Sequence, residues 1–250
     1  MRYVSFFMML LAVMSGQYSK AQSSATEIET DVFTTRGGHK VTIYSIKHAS
    51  LRIVIDSLEF EIDPVTKHGE RETDYASYPK ADYILVTHEH GDHFDPDAIK
   101  TLTKRGTVLI TNKACAEKLG YGEVMKNGDS KRISQLLRIE AVPAYNTTAG
   151  REKYHPKGRD NGFIINFDGL KIYVAGDTED INEMRVLSGI DVAFMPCNQP
   201  YTMTPEQLVH AARMVRPKIL IPYHYGQTDI SSVPRQLKTY GIEVRIRQLQ

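Results

Sequence analysis

The sequence predicts a chain of mixed α and β, of the α+β class. Strand-like segments come in runs, helical segments interrupt those runs in each half, and the side chains that carry chemistry fall at strand ends, where loops gather around a common cleft. There is no repeat at a solenoid period, no low-complexity block and no dividing linker, so one domain over residues 31–250 is expected.

Ahead of that domain, Met1 and Arg2 give a basic start to a short apolar run over 3–14, which reads as a secretory signal. Ser19 and Ala21 place small residues at the third and first positions before a cut, so 1–21 is expected to be removed and 22–30 to be a flexible, polar lead-in. The run is shorter than the ~20 residues a membrane span needs, and no Cys follows it to carry a lipid. The expected setting is exported, periplasmic or secreted, with no stable membrane anchor after cleavage. Loss of Arg2 and Lys20 turns 31 basic residues against 30 acidic into 29 against 30. Such a balance favours neither nucleic acid nor an anionic membrane as partner and leaves a small-molecule substrate as the expected one. Oligomeric state is left open.

Within the domain, 40–46, 51–55 and 58–62 are rich in β-branched residues and short enough for hairpins. The apolar run 83–87 is the next strand. Asp95 and Pro96 then open a helix to about residue 104, because Asp accepts from exposed first-turn amides and Pro is tolerated there. A strand at 107–111 precedes a short helix at 113–119 that stops at Gly120. Segment 137–142 is a strand, and 163–167 pairs with 171–175 across Asp168-Gly169, a dipeptide suited to a tight hairpin. Residues 190–195 form a strand, Thr204-Pro205-Glu206 opens a helix to about Val215, and strands at 218–222 and 243–249 complete the chain.

Directly behind Tyr83-Ile84-Leu85-Val86 stands Thr87-His88-Glu89-His90-Gly91-Asp92-His93. Residues two apart on an extended chain point the same way, so His88 and His90 converge on one cation, while the turn at Gly91 swings Asp92 and His93 toward a second. Nitrogen and oxygen donors without thiolate suit zinc, with iron or manganese able to use the same set. A lone histidine is more often a solvated or hydrogen-bonded side chain; four candidate ligands in an HxHxDH array read as a metal site. The array resembles the signature of the metallo-β-lactamase-fold hydrolases, and within them the small uncharacterised hydrolases related to L-ascorbate 6-phosphate lactonase. That resemblance implies the four-layer αββα sandwich of the metallo-β-lactamase fold; periodicity alone gives only mixed α and β.

The resemblance also implies the remaining ligands. In Val174-Ala175-Gly176-Asp177-Thr178 the Asp of the family's GDT motif bridges two metals, although standing alone Asp177 would read as a turn residue. His224, in Pro222-Tyr223-His224-Tyr225-Gly226, holds the place of the family's final histidine. Many relatives carry a histidine directly after the strand at 137–142, where this chain has Ala144-Tyr145-Asn146. Members that pair such a segment with a later HPK segment select His155, in Tyr154-His155-Pro156-Lys157. The competing readings are Asn146 binding through its carbonyl and His155 as an exposed loop residue. The expected arrangement has His88, His90 and His155 on one metal, Asp92, His93 and His224 on the other, and Asp177 between. His39, His48, His68 and His210 are expected to be structural or exposed, and Thr87 and Thr178 to orient ligands. Cys115 and Cys197 are too few for a disulfide scaffold, though one bridge is possible, and Cys197 reads as a buried thiol rather than a ligand.

Two divalent ions, two zinc ions per chain with Mn2+ or Fe2+ possible, lower the pKa of a shared water and place hydroxide beside an electrophile when ~3.5–4 Å apart. Hydrolysis of a small ester, lactone, amide or phosphoester follows, with Asp177 bridging, Asp92 assisting proton transfer and Tyr201 as the candidate anion-stabilising hydroxyl. Tyr145, Asn146, Lys157, Arg159, Gln199 and Thr202 are expected to border the cleft. No GxSxG elbow calls for a serine mechanism. Fold analogy cannot choose the bond cleaved. Two other classes compete: a metal-binding protein without turnover, against which stands the completeness of the ligand set, and a di-iron oxidoreductase, which usually needs a partner flavin domain. His155→Ala is expected to reduce metal and activity as severely as His90→Ala, and His68→Ala to do neither.

Overall fold

A computed structural model of the protein describes residues 28–250. The signal segment and most of the lead-in lie outside the described residues. Strand β1 (Glu29–Thr34) pairs antiparallel with β2 (Lys40–Lys47), which continues through β3 (Ser50–Ile55) to β4 (Leu58–Ile62). A separate two-stranded ribbon, β5 (Lys67–His68) with β6 (Arg71–Glu72), precedes β7 (Tyr83–Val86), which joins β4 in parallel. Helix α1 (Pro96–Leu102) crosses over to β8 (Val108–Thr111), and α2 (Lys113–Leu119) leads to β9 (Glu123–Val124), completing the first seven-stranded sheet.

The second sheet runs in sequence order: β10 (Ser130–Arg132), β11 (Leu137–Ala144), β12 (Asp160–Phe167), β13 (Leu170–Val174), β14 (Val192–Pro196), β15 (Ile219–Tyr223) and β16 (Glu243–Val244). Helices α3 (Pro205–Val215) and α4 (Val233–Lys238) supply the parallel crossovers on either side of β15. Alternation explains the layers. On β2 and β3, Val41, Ile43, Leu51 and Ile53 turn inward to meet Ile139, Phe163, Ile165 and Phe194 of the opposing sheet. The outer face of the first sheet is covered by Ala98, Ile99 and Leu102 of α1, that of the second by Leu208, Ala211, Ala212 and Leu237 of α3 and α4. β14 is buried on both faces and is accordingly apolar throughout. The αββα sandwich is thus present.

Several elements depart from the sequence reading. Glu29 and Thr30, expected in the lead-in, open β1, whose polar composition conceals it; on its inward face Phe33 packs against the core while the buried residue is Asp31, held by Arg245 and Arg247. Those arginines also explain why the strand expected over 243–249 stops at Val244: the chain leaves the sheet so that both guanidinium groups reach Asp31. The short β9, β10 and α4 were not anticipated. Cys115 and Cys197 are both free, buried in the two opposite helical layers, so they form no bridge. Among the described residues no helix is long and apolar enough to cross a membrane.

Candidate metal centre

The HxHxDH segment leaves β7 and folds into a turn, with the backbone amides of His93 and Phe94 donating to the His90 carbonyl. That turn gathers its side chains at one end of both sheets. Asp177 arrives from the end of β13, His224 from the end of β15, and His155 from the loop between β11 and β12. Gly176 makes the approach possible: its φ is +67°, and a Cβ there would lie 2.6 Å from the Asn161 carbonyl oxygen.

Two groups of donors result. His88, His90, His155 and Asp177 form one, and Asp92, His93 and His224 fall in the other, together with His48; within each group the donor atoms lie within 4.8 Å of one another. Asp177 joins the two: its Oδ2 is 3.3 Å from both His155 Nε2 and His224 Nε2, and its Oδ1 is 3.2 Å from His93 Nε2. Donors about 2.0–2.1 Å from a single ion, at octahedral to tetrahedral angles, sit roughly 2.9–3.4 Å from each other. The Asp177 contacts, the 3.1 Å between His88 Nε2 and His90 Nδ1, and the 3.2 Å between His224 Nε2 and Asp92 Oδ2 all have that spacing. His93 Nε2, His155 Nε2 and Asp177 Oδ1 are buried without a well-formed hydrogen bond, a costly arrangement unless a cation completes it. The residues therefore fit a pair of metal ions.

Charge states fit as well. For Asp177, burial favours the neutral acid, but the imidazoles of His224, His93 and His155 prevail and hold it well below the usual carboxylate range. Asp92 is lowered in the same way, burial being outweighed by His93, His224 and His48. His88 is kept neutral by burial and by His93. Burial also opposes a charged His93, yet Asp177 and Asp92 raise its pKa well above the ordinary value, so loading a cation would release that proton.

A beta-lactamase superfamily domain profile matches residues 42–224. The chain belongs to the metallo-β-lactamase superfamily. The UPF0173 metal-dependent hydrolase of Thermus thermophilus is 30% identical over 212 residues, 81% of this chain and 94% of that protein. A crystal structure from Parabacteroides distasonis, provisionally described as a metal-dependent hydrolase, is 54% identical with a TM-score of 0.86, over 90% of this chain and all of that one. Igni18, a metallo hydrolase from Ignicoccus hospitalis, is 25% identical with a TM-score of 0.68, over 84% of this chain and 95% of its own.

Of the superfamily positions, the third histidine is the one the sequence left open. The structure places His155, and not Asn146, among the donors; Asn146 instead donates to the Tyr201 and Arg151 carbonyls. Tyr201 stands at the exposed rim, its ring edge-on to Tyr154 at 5.1 Å, and its hydroxyl meets no ligand side chain among the described residues. Thr87 orients as expected, its Oγ1 lying 3.0 Å from His88 Nδ1. Thr178 does not: its hydroxyl ties down the Tyr145 backbone. Lys157 and Tyr145 are occupied with Glu183, and Arg159 with Asp160 and Glu89.

Sequence reasoning missed three residues. Asp63, at the end of β4, is fully buried; its Oδ2 accepts from His93 Nδ1 at 2.8 Å and from the Thr87 hydroxyl at 2.7 Å, while its Oδ1 accepts from the Thr87 amide at 2.7 Å. Burial raises its carboxyl against the pull of those donors. Asp160 does the same for His155, Oδ2 to Nδ1 at 3.0 Å, and is itself held by Arg159. Each fixes the ring so that Nε2 faces the centre. An Asp-Pro after an apolar strand was the available signal for Asp63. The third, His48, expected to be structural or exposed, is buried beside the Asp92 carboxylate, and burial with the neighbouring His224 pushes its pKa down to about 4.

Proposed function

We propose that this chain is a metal-dependent hydrolase whose two donor groups hold two divalent cations, with zinc the first choice, and that it cleaves a small ester, lactone, amide or phosphoester. The observation that carries the reading is Asp177, a single ionised carboxylate within 3.3 Å of imidazole nitrogens from both donor groups. Bound cations in such a pair supply Lewis acidity and a water ionised near neutral pH. The protein's own residues do the rest. Asp63 and Asp160 hold His93 and His155 in the tautomer that presents Nε2. Asp92 is the more open of the two carboxylates at the centre, its side chain 33% exposed against 3% for Asp177. It would assist proton transfer by accepting a hydrogen bond from the attacking water, since His93, His224 and His48 keep it ionised. Tyr201, on the rim, would offer its hydroxyl to a developing anion only from the solvent side.

An exported setting, expected from 1–21, favours a small diffusible substrate over transfer RNA or acyl-glutathione. The test is a screen of lactones, β-lactams, phosphodiesters and simple esters with purified protein before and after chelation. Hydrolysis that vanishes on chelation and returns with added metal is expected. Metal uptake with no turnover across all four classes would favour a binding protein, and chelator-insensitive turnover would remove the metals from the reaction.

A further inference from the structure

His48 occupies the turn between β2 and β3, far in sequence from every other donor. Its ring lies between those of His68 and His224, with centroid distances of 3.7 and 3.9 Å. Its Nε2 is 3.3 Å from Asp92 Oδ2, the same oxygen that His224 Nε2 approaches at 3.2 Å. Two imidazole nitrogens converging on one carboxylate oxygen at this range are longer than the 2.7–2.9 Å usual for a charge-assisted N–H···O bond. They have instead the separation of neighbouring donors around one ion. The backbone adds a second observation. His48 and His224 both adopt left-handed φ, +46° and +49°, and the His224 amide donates to the His48 carbonyl at 3.3 Å. Non-glycine residues keep such conformations where their surroundings over-determine them, and they cluster at functional sites. The two strained histidines are thus fastened together with their rings aimed at one point.

We propose that His48 is a protein ligand, through Nε2, of the cation held by Asp92, His93 and His224. This rests on the dinuclear reading above and deepens it. Counting Asp177, the second cation has five protein donors, three nitrogens and two oxygens, against four at the first: His88, His90, His155 and Asp177. With a solvent molecule the second site reaches six positions. That number suits manganese, iron, cobalt or nickel better than zinc, which settles in four. The two sites of this chain therefore differ in metal preference: zinc remains the first choice for the four-donor site, and the second departs from it by selecting an ion that accepts six ligands.

The test uses His48→Asn, since Asn tolerates left-handed φ and its side chain is too short to replace the imidazole nitrogen, with His48→Gln as a second variant. Chelator-stripped full-length protein is titrated with cobalt(II), following heat and the visible d–d spectrum. Wild type is expected to take two equivalents. The variants are expected to bind one equivalent as wild type does, which shows that they are folded, and the other at least tenfold more weakly. Their d–d absorption should also grow in intensity, as cobalt does when it loses donors. A second equivalent bound with wild-type affinity and spectrum in both variants would overturn the assignment and leave His48 as a hydrogen-bond partner of Asp92. Wild type binding no cobalt, or one equivalent, is a different result: it overturns the dinuclear reading itself and this assignment with it.

Discussion

Asp63→Asn tests how the buried carboxylate at the end of β4 governs metal binding. The substitution keeps volume and shape and changes one atom. Oδ1 still accepts from the Thr87 amide, but the new NH2 faces the Thr87 hydroxyl and His93 Nδ1, which lie 2.7 and 2.8 Å from Asp63 Oδ2. The hydroxyl can rotate to accept. The imidazole cannot accept while Nδ1 carries its proton, so the proton must move to Nε2, the nitrogen directed at Asp177 from 3.2 Å. The ligating tautomer is then disfavoured. Partners that orient a ligating histidine typically contribute 10–100-fold to metal affinity, or about 1.4–2.7 kcal/mol. The loss should be largest at the site of Asp92, His93 and His224, because Asp63 bonds His93 directly and reaches His88 only through the Thr87 hydroxyl. Competition against a chromophoric chelator measures each equivalent, and the Tm gained on metal addition should shrink in parallel. Unchanged affinity at both sites, or a loss confined to the first, would refute the reasoning.

Three further predictions follow from the same geometry. His155→Ala should lose metal and turnover as His90→Ala does; His210→Ala is the better control, because His210 is an exposed partner of Asp180 whereas His68 stacks on His48. Gly176→Ala should lower both stability, by about 1 kcal/mol or more, and metal content by elemental analysis, since its Cβ would meet the Asn161 carbonyl at 2.6 Å and displace Asp177. Glu61 is buried with neither oxygen hydrogen-bonded and with Arg52 4.0 Å away; burial raises its pKa well above 4.5. The folded chain thus holds that proton more tightly than the unfolded one, and the destabilisation is absent below about pH 4.5 and grows as pH rises toward the folded pKa. Glu61→Gln should therefore gain stability over wild type between pH 4 and pH 7 in urea unfolding of metal-free protein; a gain that shrinks over that range would contradict it.

What the sequence made legible was local. His88, His90, Asp92 and His93 lie within one turn, and Asp177 and His224 each follow an apolar strand, so spacing and strand ends announce them. The residues that escaped notice act across the fold. His48 meets Asp92 over 44 residues and Asp63 meets His93 over 30, contacts that exist only once β2, β3, β4 and β7 are assembled in that order in one sheet. Asp160 reaches His155 across only 5 residues, but a carboxylate that opens a strand within the polar run Lys157-Gly158-Arg159-Asp160-Asn161 carries no local mark. Architecture shows the same division. The hairpins from β2 to β4 and across Asp168-Gly169 follow from alternation and turn chemistry. β1 did not, because its one buried residue is a charge neutralised by Arg245 and Arg247, 214 and 216 residues away.

Anomalous diffraction from a crystal of the metal-loaded protein tests the central claim most directly. Two peaks are predicted, one among His88, His90 and His155 and one among Asp92, His93 and His224, with the Asp177 carboxylate between them. One peak, or peaks away from these side chains, would contradict the account.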